Sequence, residues 1–496
     1  MGTLGGDHRW TTIIIMAFIR KVKTTSGATA VQIAYKQKGK IIKIIHIGSA
    51  HTDEGLKILL ALARKQLQQN QLPLFPETQT NLQVGIKRTF SDLLWKTLRE
   101  QYQKLGFDQL NDDVFEALCL ARIVEPSSKL DSLRVLADLG LRKLDQNKLY
   151  RCLAKAADSN YRKIISQACF EYVGGNGLRL ILYDVTTLYF EIQEEDDYRK
   201  PGLSKERRLE TQIIIGLLVD QRGFPLGLHS FEGNKAETKT ILPVIEAFQA
   251  QHGLKKITIV ADAAMLSAAN LAAFTDAGYT YIVGSRLHKI PYELTEFQKT
   301  GEMFDQQIIV SHQNGYRVIY QYRTKRAALD LRNIEKQIAK AKKAINGQIP
   351  ANRMKFLTIQ ATTKQLNQKL IDKARTLAGI KAYVTNLDIP DAEVIAYYRQ
   401  LFQVEASFRM AKSDLKARPI YHRKRDAIEA HLTIVLAALA ISRSIEYQTG
   451  ISIKKFVKLI RPLRSAIVTI NSKELLAEPE LSPEVSLLLN NLASGH

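Results

Sequence analysis

Cysteine is scarce in this chain of 496 residues: Cys119, Cys152 and Cys169 are the whole complement. Their spacing makes no CxxC pair, which speaks against a zinc ribbon, and so few thiols fit a reducing cytosol. Long hydrophobic runs are missing too. No stretch approaches the ~20 consecutive apolar residues of a membrane span. The apolar run Ile13 to Ile19 is at the lower limit of a signal-peptide core, and Arg20, Lys21 and Lys23 follow it where a small-residue cleavage site would stand. We read no export signal, internal repeat or low-complexity tract. Acidic residues are in deficit, 49 against 71 Lys and Arg, for a net charge of +22. Such an excess favours a polyanionic partner, because phosphates neutralised by Lys or Arg release counterions; an anionic membrane surface is the other candidate.

A hydrophobic content of 45% is ordinary for a globular protein, and the length allows three or four folding units of about 100–200 residues each. From about Met16 to Gly48 the pattern is that of strands: AVQIAYK and KIIKIIHIG flank a Lys38-Gly39 turn. Thr52 caps a helix through LKILLALARKQL, and Asn70 to Thr80, with two prolines, reads as a linker. Helical spacing runs from Asp92 to about Tyr172. Strands then follow in RLILYDVTTLYFE, TQIIIGLLVD and FPLGLHSFEG. The helix ETKTILPVIEAFQAQ, the strand KITIVAD, the helix SAANLAAFTDAG and the strand YTYIVGS complete a β-β-β-α-β-α-β order. That is the order of a ribonuclease-H-like α/β fold. After Arg286 comes another hairpin, with Asn314-Gly315 as its turn, then the basic helical stretch RNIEKQIAKAKKAI, then a long helix from about Asp391 to Lys416. The apolar run LTIVLAALAI is too short to span a bilayer and reads as core.

Two carboxylates stand at the ends of apolar strands, Asp184 in ILYDVTTLYFE and Asp262 in ITIVADAA. The carboxyl ends of strands are where an open α/β sheet forms its site, although a strand-end Asp also serves to cap a turn. A third acid lies in YYRQLFQVEASFRMAKSDLK, where Tyr398, Glu405 and Lys412 are seven residues apart. At about 3.6 residues per turn the three share one helix face, a poor face for a core and a good one for a metal and a phosphate. Arg409, one turn after Glu405, is equally explained as its helix-surface ion partner. Three convergent carboxylates suit Mg²⁺ or Mn²⁺, which prefer oxygen ligands. Two such ions about 4 Å apart clamp the attacking and leaving oxygens of a phosphoryl displacement. That chemistry needs no covalent nucleophile, so the lack of a Ser-His-Asp or Cys-His pattern does not count against it.

On these residues the chain resembles the DDE insertion-sequence transposases with a Y-R-E-K signature, close to the sixteen-thirty-four branch of the insertion-sequence-four superfamily. Tyr398, Glu405 and Lys412 match the signature's spacing, while Leu401 stands at its Arg position; Arg399 or Arg409 is the candidate replacement. ARIVEPSSK ending at Lys129, DVTTLYFE at Asp184, GLSK at Gly202, FEGNKAET, VADAAM at Asp262 and KARPIYHRKRDAIEAH ending at His431 also fit. The resemblance implies metal-dependent cleavage at transposon ends and strand transfer into target DNA by a bacterial, cytoplasmic, nucleoid-associated enzyme. It implies two bound Mg²⁺ or Mn²⁺ ions, a homodimer on duplex DNA, and an inserted β-rich domain between Asp262 and Glu405.

The expected organisation is an extension or mis-start over 1–15, a hairpin and helix over 16–80, and a helical, DNA-binding or spacer region over 81–175. The catalytic core begins at 176–286, is interrupted by an insertion over 287–388, and ends with the catalytic helix over 389–430. A helical region over 431–496 closes the chain. Besides Tyr398, Arg409 and Lys412, the DNA contacts expected are Arg418, Arg423, Lys424 and Arg425, because Arg409 to Arg425 holds seven basic residues and one acid. Thr186 and Thr187 either orient the site or simply favour a strand. Gly233 to Lys235 is a phosphate-binding turn or a plain one, and His431 reads as a satisfied core histidine. Two alternatives stand beside the transposase reading: a ribonuclease-H-like nuclease without strand transfer, and a catalytically silent, transposase-derived DNA-binding protein.

Overall fold

The structure, a computed structural model, describes residues 15–494 apart from 26, 70–83, 143, 192–193, 203–209, 255–256, 266, 288, 314, 352–353, 361–362 and 471–472. Most of the expected N-terminal extension and the whole Asn70 to Thr80 linker lie outside the described residues. The chain divides into two compact units, Met1–Val84 with Ile470–Ser472, and Gly85–Thr469 with Lys473–His496.

In the first unit, β1 (Ile15–Lys23), β2 (Thr29–Gln37) and β3 (Lys40–Ala50) form an antiparallel sheet in that order. The turn between β2 and β3 is the expected one: Lys38 and Gly39 both have positive φ, 46° and 82°, as a two-residue hairpin turn requires. α1 (Asp53–Gln69) covers one face, its Ala63 fully buried against Val31 and Ile33 of β2. Thr52 caps α1, its Oγ1 accepting from the Gly55 N–H at 3.2 Å.

The second unit opens with β4 (Val84–Phe90) and the helices α2 (Asp92–Lys104), α3 (Asp113–Val124), α4 (Lys129–Asp138), α5 (Gln146–Asp158) and α6 (Tyr161–Tyr172). Next come β5 (Leu180–Tyr189), β6 (Gln212–Val219), β7 (Pro225–Glu232), α7 (Ile241–His252), β8 (Thr258–Ala261), α8 (Ala268–Asp276) and β9 (Thr280–Ser285), in the order read from the pattern. The following segment holds α9 (Tyr292–Thr300), β10 (Ile308–Gln313), β11 (Tyr316–Tyr322), α10 (Thr324–Ile345), β12 (Leu357–Gln360), β13 (Thr363–Leu366), α11 (Gln368–Thr376) and β14 (Ile380–Thr385). Three of its strands extend the main sheet, whose order is β10-β11-β14-β9-β8-β5-β6-β7. The unit is thus a mixed α/β structure built on a large mixed sheet. β5, β8 and β9 run parallel, and every other pairing in the sheet is antiparallel.

The helix expected from Asp391 to Lys416 is interrupted. α12 (Asp391–Arg399) and α13 (Phe402–Arg409) are separated at Gln400 and Leu401, and a π-turn over Met410–Asp414 follows. No Gly or Pro marks the break. Leu401 is 7% exposed, and the backbone tightens to i→i+3 bonds at Gln400, Leu401, Gln403 and Val404 as that side chain is drawn inward. α14 (Arg425–Thr449) is buried almost continuously from Ile428 to Ile445 and packs against α2, α3, α5, α6 and β7. It is long and apolar enough to cross a membrane by length and composition, yet 89% of its most apolar window is buried within the protein. The C-terminal region, expected to be helical, has α15 (Ile453–Ile460), then β15 (Ser465–Ile470) and β16 (Lys473–Ala477), then α16 (Pro483–Ser494). SAIVTI, alternating and β-branched, makes the strand that sits between β16 and β4 in a small sheet.

Candidate active site

β5 and β8 share a parallel ladder whose last pair is Tyr183↔Ala261. Asp184 and Asp262 are the next residues on each strand. Neighbouring strands lie about 4.8 Å apart and register partners point to one face, so the two carboxylates emerge side by side where the shared ladder ends. Asp184 does not end its own strand: β5 runs on to Tyr189 against β6, with Asp184 opposite Leu217. The β-branched VTTL stretch carries the strand past the acid.

Asp184 is 9% exposed and Asp262 is half-buried. One oxygen of Asp262 accepts from the Ala263 N–H at 2.7 Å and from the Tyr398 hydroxyl at 3.1 Å. Tyr398 reaches it from α12, 4% exposed, and packs edge-on against Tyr383 of β14 at 4.9 Å. Burial, and then the charge of Asp262 beside it, raise the Tyr398 pKa and keep the phenol protonated as a donor. Gly284 on β9 makes room for this contact, since a Cβ there would collide with the Tyr398 hydroxyl. Lys412 donates to Thr186 Oγ1 on β5, so both ends of the Tyr-Glu-Lys stripe come to the acid-bearing strands.

Glu405 is exposed on α13, which packs against β5 and β6. Its carboxylate and that of Asp262 both act on one ammonium, Lys381 of β14. Lys381 lies over the Tyr398 ring at 4.3 Å and the Tyr383 ring at 5.7 Å. Arg323, Arg326 and Arg399 act on Tyr383 as well, so a basic rim borders the acids. Sequence reasoning missed Lys381 and this rim: a single lysine in a strand carries no spacing that ties it to a helix elsewhere. It also missed Gly284, although an isolated glycine inside a strand does signal close approach.

The oxygen-only donors of the aspartate pair fit a hard divalent cation, and the second oxygen of Asp262 is not engaged by Ala263 or Tyr398. The third acid does not close the set: among the described residues, no three Asp, Glu, His or Cys side chains are grouped closely enough to hold a metal ion. Leu401, at the signature's Arg position, is a core residue. Arg399 is exposed and points to Gln306 and Gln321, at 3.3 and 3.5 Å.

Arg409, Arg423, Lys424 and Arg425 are exposed. Arg425 stacks over Tyr198 at 4.7 Å, and Arg418 over Tyr189 at 5.2 Å. Thr186 is buried and Thr187 half-buried within β5. Gly233 forms a packed turn, where a Cβ would strike the backbones of Gln212 and Lys200, and a Cβ at Gly202 would strike Gly233. His431 is buried and hydrogen-bonded, as a core histidine.

Residues 175–441, more than half of the chain, match the model of the family described as transposase DDE domain. The chain belongs to this family. No protein with a curated description matches the transposase sequence. Among solved structures, the transposase is similar to a piggyBac transposase in a synaptic complex with hairpin DNA. The two share 12% identity at a TM-score of 0.40, over 71% of this chain and 70% of the other.

Proposed function

We propose that this transposase cuts DNA at the ends of an insertion sequence and joins the freed 3′-hydroxyls to target DNA. Asp184, Asp262 and Glu405 would hold two Mg²⁺ or Mn²⁺ ions. The observation that carries this reading is the placement of Asp184 and Asp262 at equivalent positions on adjacent parallel strands, with Tyr398 from α12 on one of them. The order of β5 to β9 and the acids at the carboxyl ends of the parallel ladder support a ribonuclease-H-like core, with residues 287–388 as its insertion. Tyr398, Glu405 and Lys412 support the Y-R-E-K branch, with Leu401 as the departure.

Bound divalent ions would supply a nucleophilic oxygen and stabilise the leaving one. The protein's own residues prepare for that. Tyr398 fixes the Asp262 carboxylate, and Lys412 lies against β5. Lys381 and the arginines around it offer positive charge to a phosphate entering beside the acids. Glu405, on the helix that crosses β5 and β6, would complete the ligand set. Arg409, Arg418, Arg423, Lys424 and Arg425 would hold the DNA backbone, with the helical region 81–175 contributing to end binding, in a homodimer on duplex DNA in the bacterial cytoplasm.

The test is cleavage and joining of DNA that carries the element's ends. Asp184→Asn, Asp262→Asn and Glu405→Gln should each abolish cleavage in Mg²⁺ while leaving duplex affinity near wild type, because affinity comes mainly from the basic surface. Ca²⁺ should support binding but little cleavage. A Glu405→Gln protein that still cuts in Mg²⁺ would sink the three-acid assignment. Cleaved ends that never join would favour a nuclease over a transposase.

A further inference from the structure

The three-stranded sheet of the first unit has two faces, and α1 covers one of them. Successive side chains along a strand point to opposite faces, so the register sorts them. Ile19, Ile33 and Ile45 stand opposite one another and share one apolar cluster with Leu56, Leu59 and Leu60 of α1. The rows between them point away from the helix: Phe18, Ala34 and Ile44 in one, and Arg20, Gln32 and His46 in the next. This second face is open. Phe18 and Ile44 are 41% and 46% exposed, and Met16 and Val22 of β1 are exposed beside Phe18.

The central strand carries small side chains on this face, Ala30 and Ala34, both buried, while the taller residues stand on β1 and β3. β2 therefore lies low between two raised edges. The polar row crosses it. Arg20 donates from Nε and Nη2 to the side-chain carbonyl of Gln32 at 2.9 and 2.8 Å, and the His46 ring lies 3.4 Å from Ser49 Oγ on the same strand. The bond to Gln32 holds the guanidinium across the sheet before any ligand arrives, which lowers the ordering cost of a contact made there. The guanidinium nitrogen Nη1 takes no part in that bond.

Between residues 15 and 69 there are eight lysines and two arginines against two acids, which places over a third of the chain's net charge of +22 in this small unit. Both acids, Asp53 and Glu54, open α1 and so belong to the covered side. Lys36 lies on the open face, and Lys23, Lys38 and Lys40 stand at strand ends and in the turn between them. A second copy of this face would bring like charge against like, whereas a polyanion is attracted to it. The dimensions fit as well. Strands about 4.8 Å apart put β1 and β3 about 10 Å from each other, and the major groove of B-DNA is about 12 Å wide and admits β-strands. Within that groove, arginine reads guanine, glutamine reads adenine, and apolar side chains meet the thymine methyl.

We propose that the open face of β1, β2 and β3 enters the major groove of duplex DNA and reads base edges with Arg20, Gln32 and His46. Phe18 and Ile44 make the apolar contacts, and the lysines at the strand ends meet phosphates on either side. The proposal rests on the function given above, which names the element's ends as the sequence to be read. It divides the work: the first unit selects the DNA and the second cuts it.

The test compares the full-length wild type with Arg20→Met, His46→Ala and Lys40→Ala on two duplexes of equal length, one carrying an element end and one with that sequence scrambled. The wild type should prefer the end. Arg20→Met keeps a long stem across the sheet and should cut that preference about tenfold, the size of a bidentate base contact, while affinity for the scrambled duplex falls less. His46→Ala, at an exposed position, should lower the preference in the same direction and carries the test if Arg20→Met does not fold. Lys40→Ala should instead weaken binding to both duplexes alike and flatten the slope of log K against log salt by about one. Cleavage of the end duplex in Mg²⁺ is followed in parallel. A wild type that prefers and cuts the end, with the preference unchanged in both Arg20→Met and His46→Ala, would overturn the sheet as the reader and leave the proposed function standing. A wild type that neither prefers nor cuts the end would overturn both. Sedimentation without DNA tests the rival occupant: a dimer that Phe18→Ser dissolves, with end preference intact, would assign the face to a second copy of the chain and overturn the proposal.

Discussion

The two ends of the large sheet differ in a way that bears on where chemistry happens. At the end where β5 and β8 begin there is a cavity of about 840 Å³, lined by Tyr172, Arg179, Asp220, Tyr397, Arg443 and Tyr447 among others. Where their shared ladder stops, Asp184 and Asp262 stand together, with Tyr398 and Lys381 over them and basic side chains along the rim. Volume marks the first end and charge marks the second. A small molecule is recognised by enclosure in a concave, largely preformed site. Duplex DNA is too wide to be enclosed, and phosphoryl transfer on it depends on fixed charges at an accessible surface. On the function proposed above, the hollow is therefore the poorer guide to where the chemistry happens. Two of its charged groups are committed to structure: Asp220 accepts from the Arg222 and Phe224 N–H groups, and Arg443 binds the Gly223 carbonyl and Gln403.

The most direct way to break this comparison is to alter each end in turn. Asp262→Asn should reduce strand cleavage by more than about a thousandfold, and combining it with Asp184→Asn should cost little more, since groups that act as a unit fail as a unit. Tyr447→Ala, at a 57% exposed position on the cavity wall, should leave cleavage within about twofold. Cleavage rates on the same substrate measure both. A Tyr447→Ala protein as damaged as Asp262→Asn would move the centre of activity to the cavity.

How legible these ends were in the sequence depends on the range of the interaction. The strand order, the Lys38-Gly39 turn and the Thr52 cap follow from local periodicity and turn chemistry. The two aspartates could be placed because each follows an apolar run and the topology makes those strands neighbours. The break at Gln400 and Leu401 left no local mark, because it comes from burying Leu401 and not from a residue that resists helix. Lys381 over Tyr398, and Arg122 beside His431, are meetings of distant segments, which one sequence does not announce. Gly284 is the intermediate case. Its position in YTYIVGS signals close approach, but the partner, Tyr398, becomes visible only in three dimensions.

That partnership sharpens the comparison by a double-mutant cycle. Gly284→Ala should destabilise the protein by about 1–3 kcal/mol, as overpacking does in a tight core, and should lower cleavage by displacing Tyr398 from Asp262. Tyr398→Phe removes the colliding hydroxyl. The double variant should therefore be more stable than the sum of the single effects predicts. Denaturant unfolding measures all four proteins. Strict additivity would show that Gly284 does not make room for Tyr398.

Between the two ends, Glu429 at the start of α14 ties that helix to the sheet edge. It accepts from the Tyr198 hydroxyl at 2.5 Å and the Ser230 hydroxyl at 2.7 Å, and pairs with Arg162 at 2.6 Å. Burial opposes its charge, but Arg162 and the two hydroxyls outweigh burial and hold the carboxyl below its usual range. A folded-state pKa lowered in this way stabilises the protein above the unfolded value of about 4.3. That contribution is lost as pH falls through the lowered one. Glu429→Gln should cost about 1–3 kcal/mol at neutral pH and flatten the loss of stability in acid. An equal loss at neutral and strongly acidic pH would mean that its charge is not what matters.

The smallest effect expected is at Lys381, and its sign is the informative part. Burial, then Arg326, disfavour its proton, and Asp262 and Glu405 restore only part of that loss. A lysine whose folded pKa is lowered makes its charge a cost at neutral pH. The cost disappears as pH rises through the folded pKa toward the unfolded value of about 10.4. Stacking on Tyr398 works the other way, by about 0.5–1 kcal/mol. Lys381→Met should therefore change stability at neutral pH by no more than about 1 kcal/mol. Relative to the wild type, it should lose the gain in stability between neutral and alkaline pH. The same substitution removes a positive charge from beside Asp262 and Glu405, so Mg²⁺ should bind the variant more tightly and raise its melting temperature further than it raises the wild type's. Melting curves with and without Mg²⁺, at neutral pH and near pH 10, give all of these quantities. If Mg²⁺ stabilises both proteins equally, Lys381 does not share the field of the acids. If the variant is much less stable without Mg²⁺ and recovers with it, Lys381 is a counter-charge that the carboxylates need, and the ion takes its place.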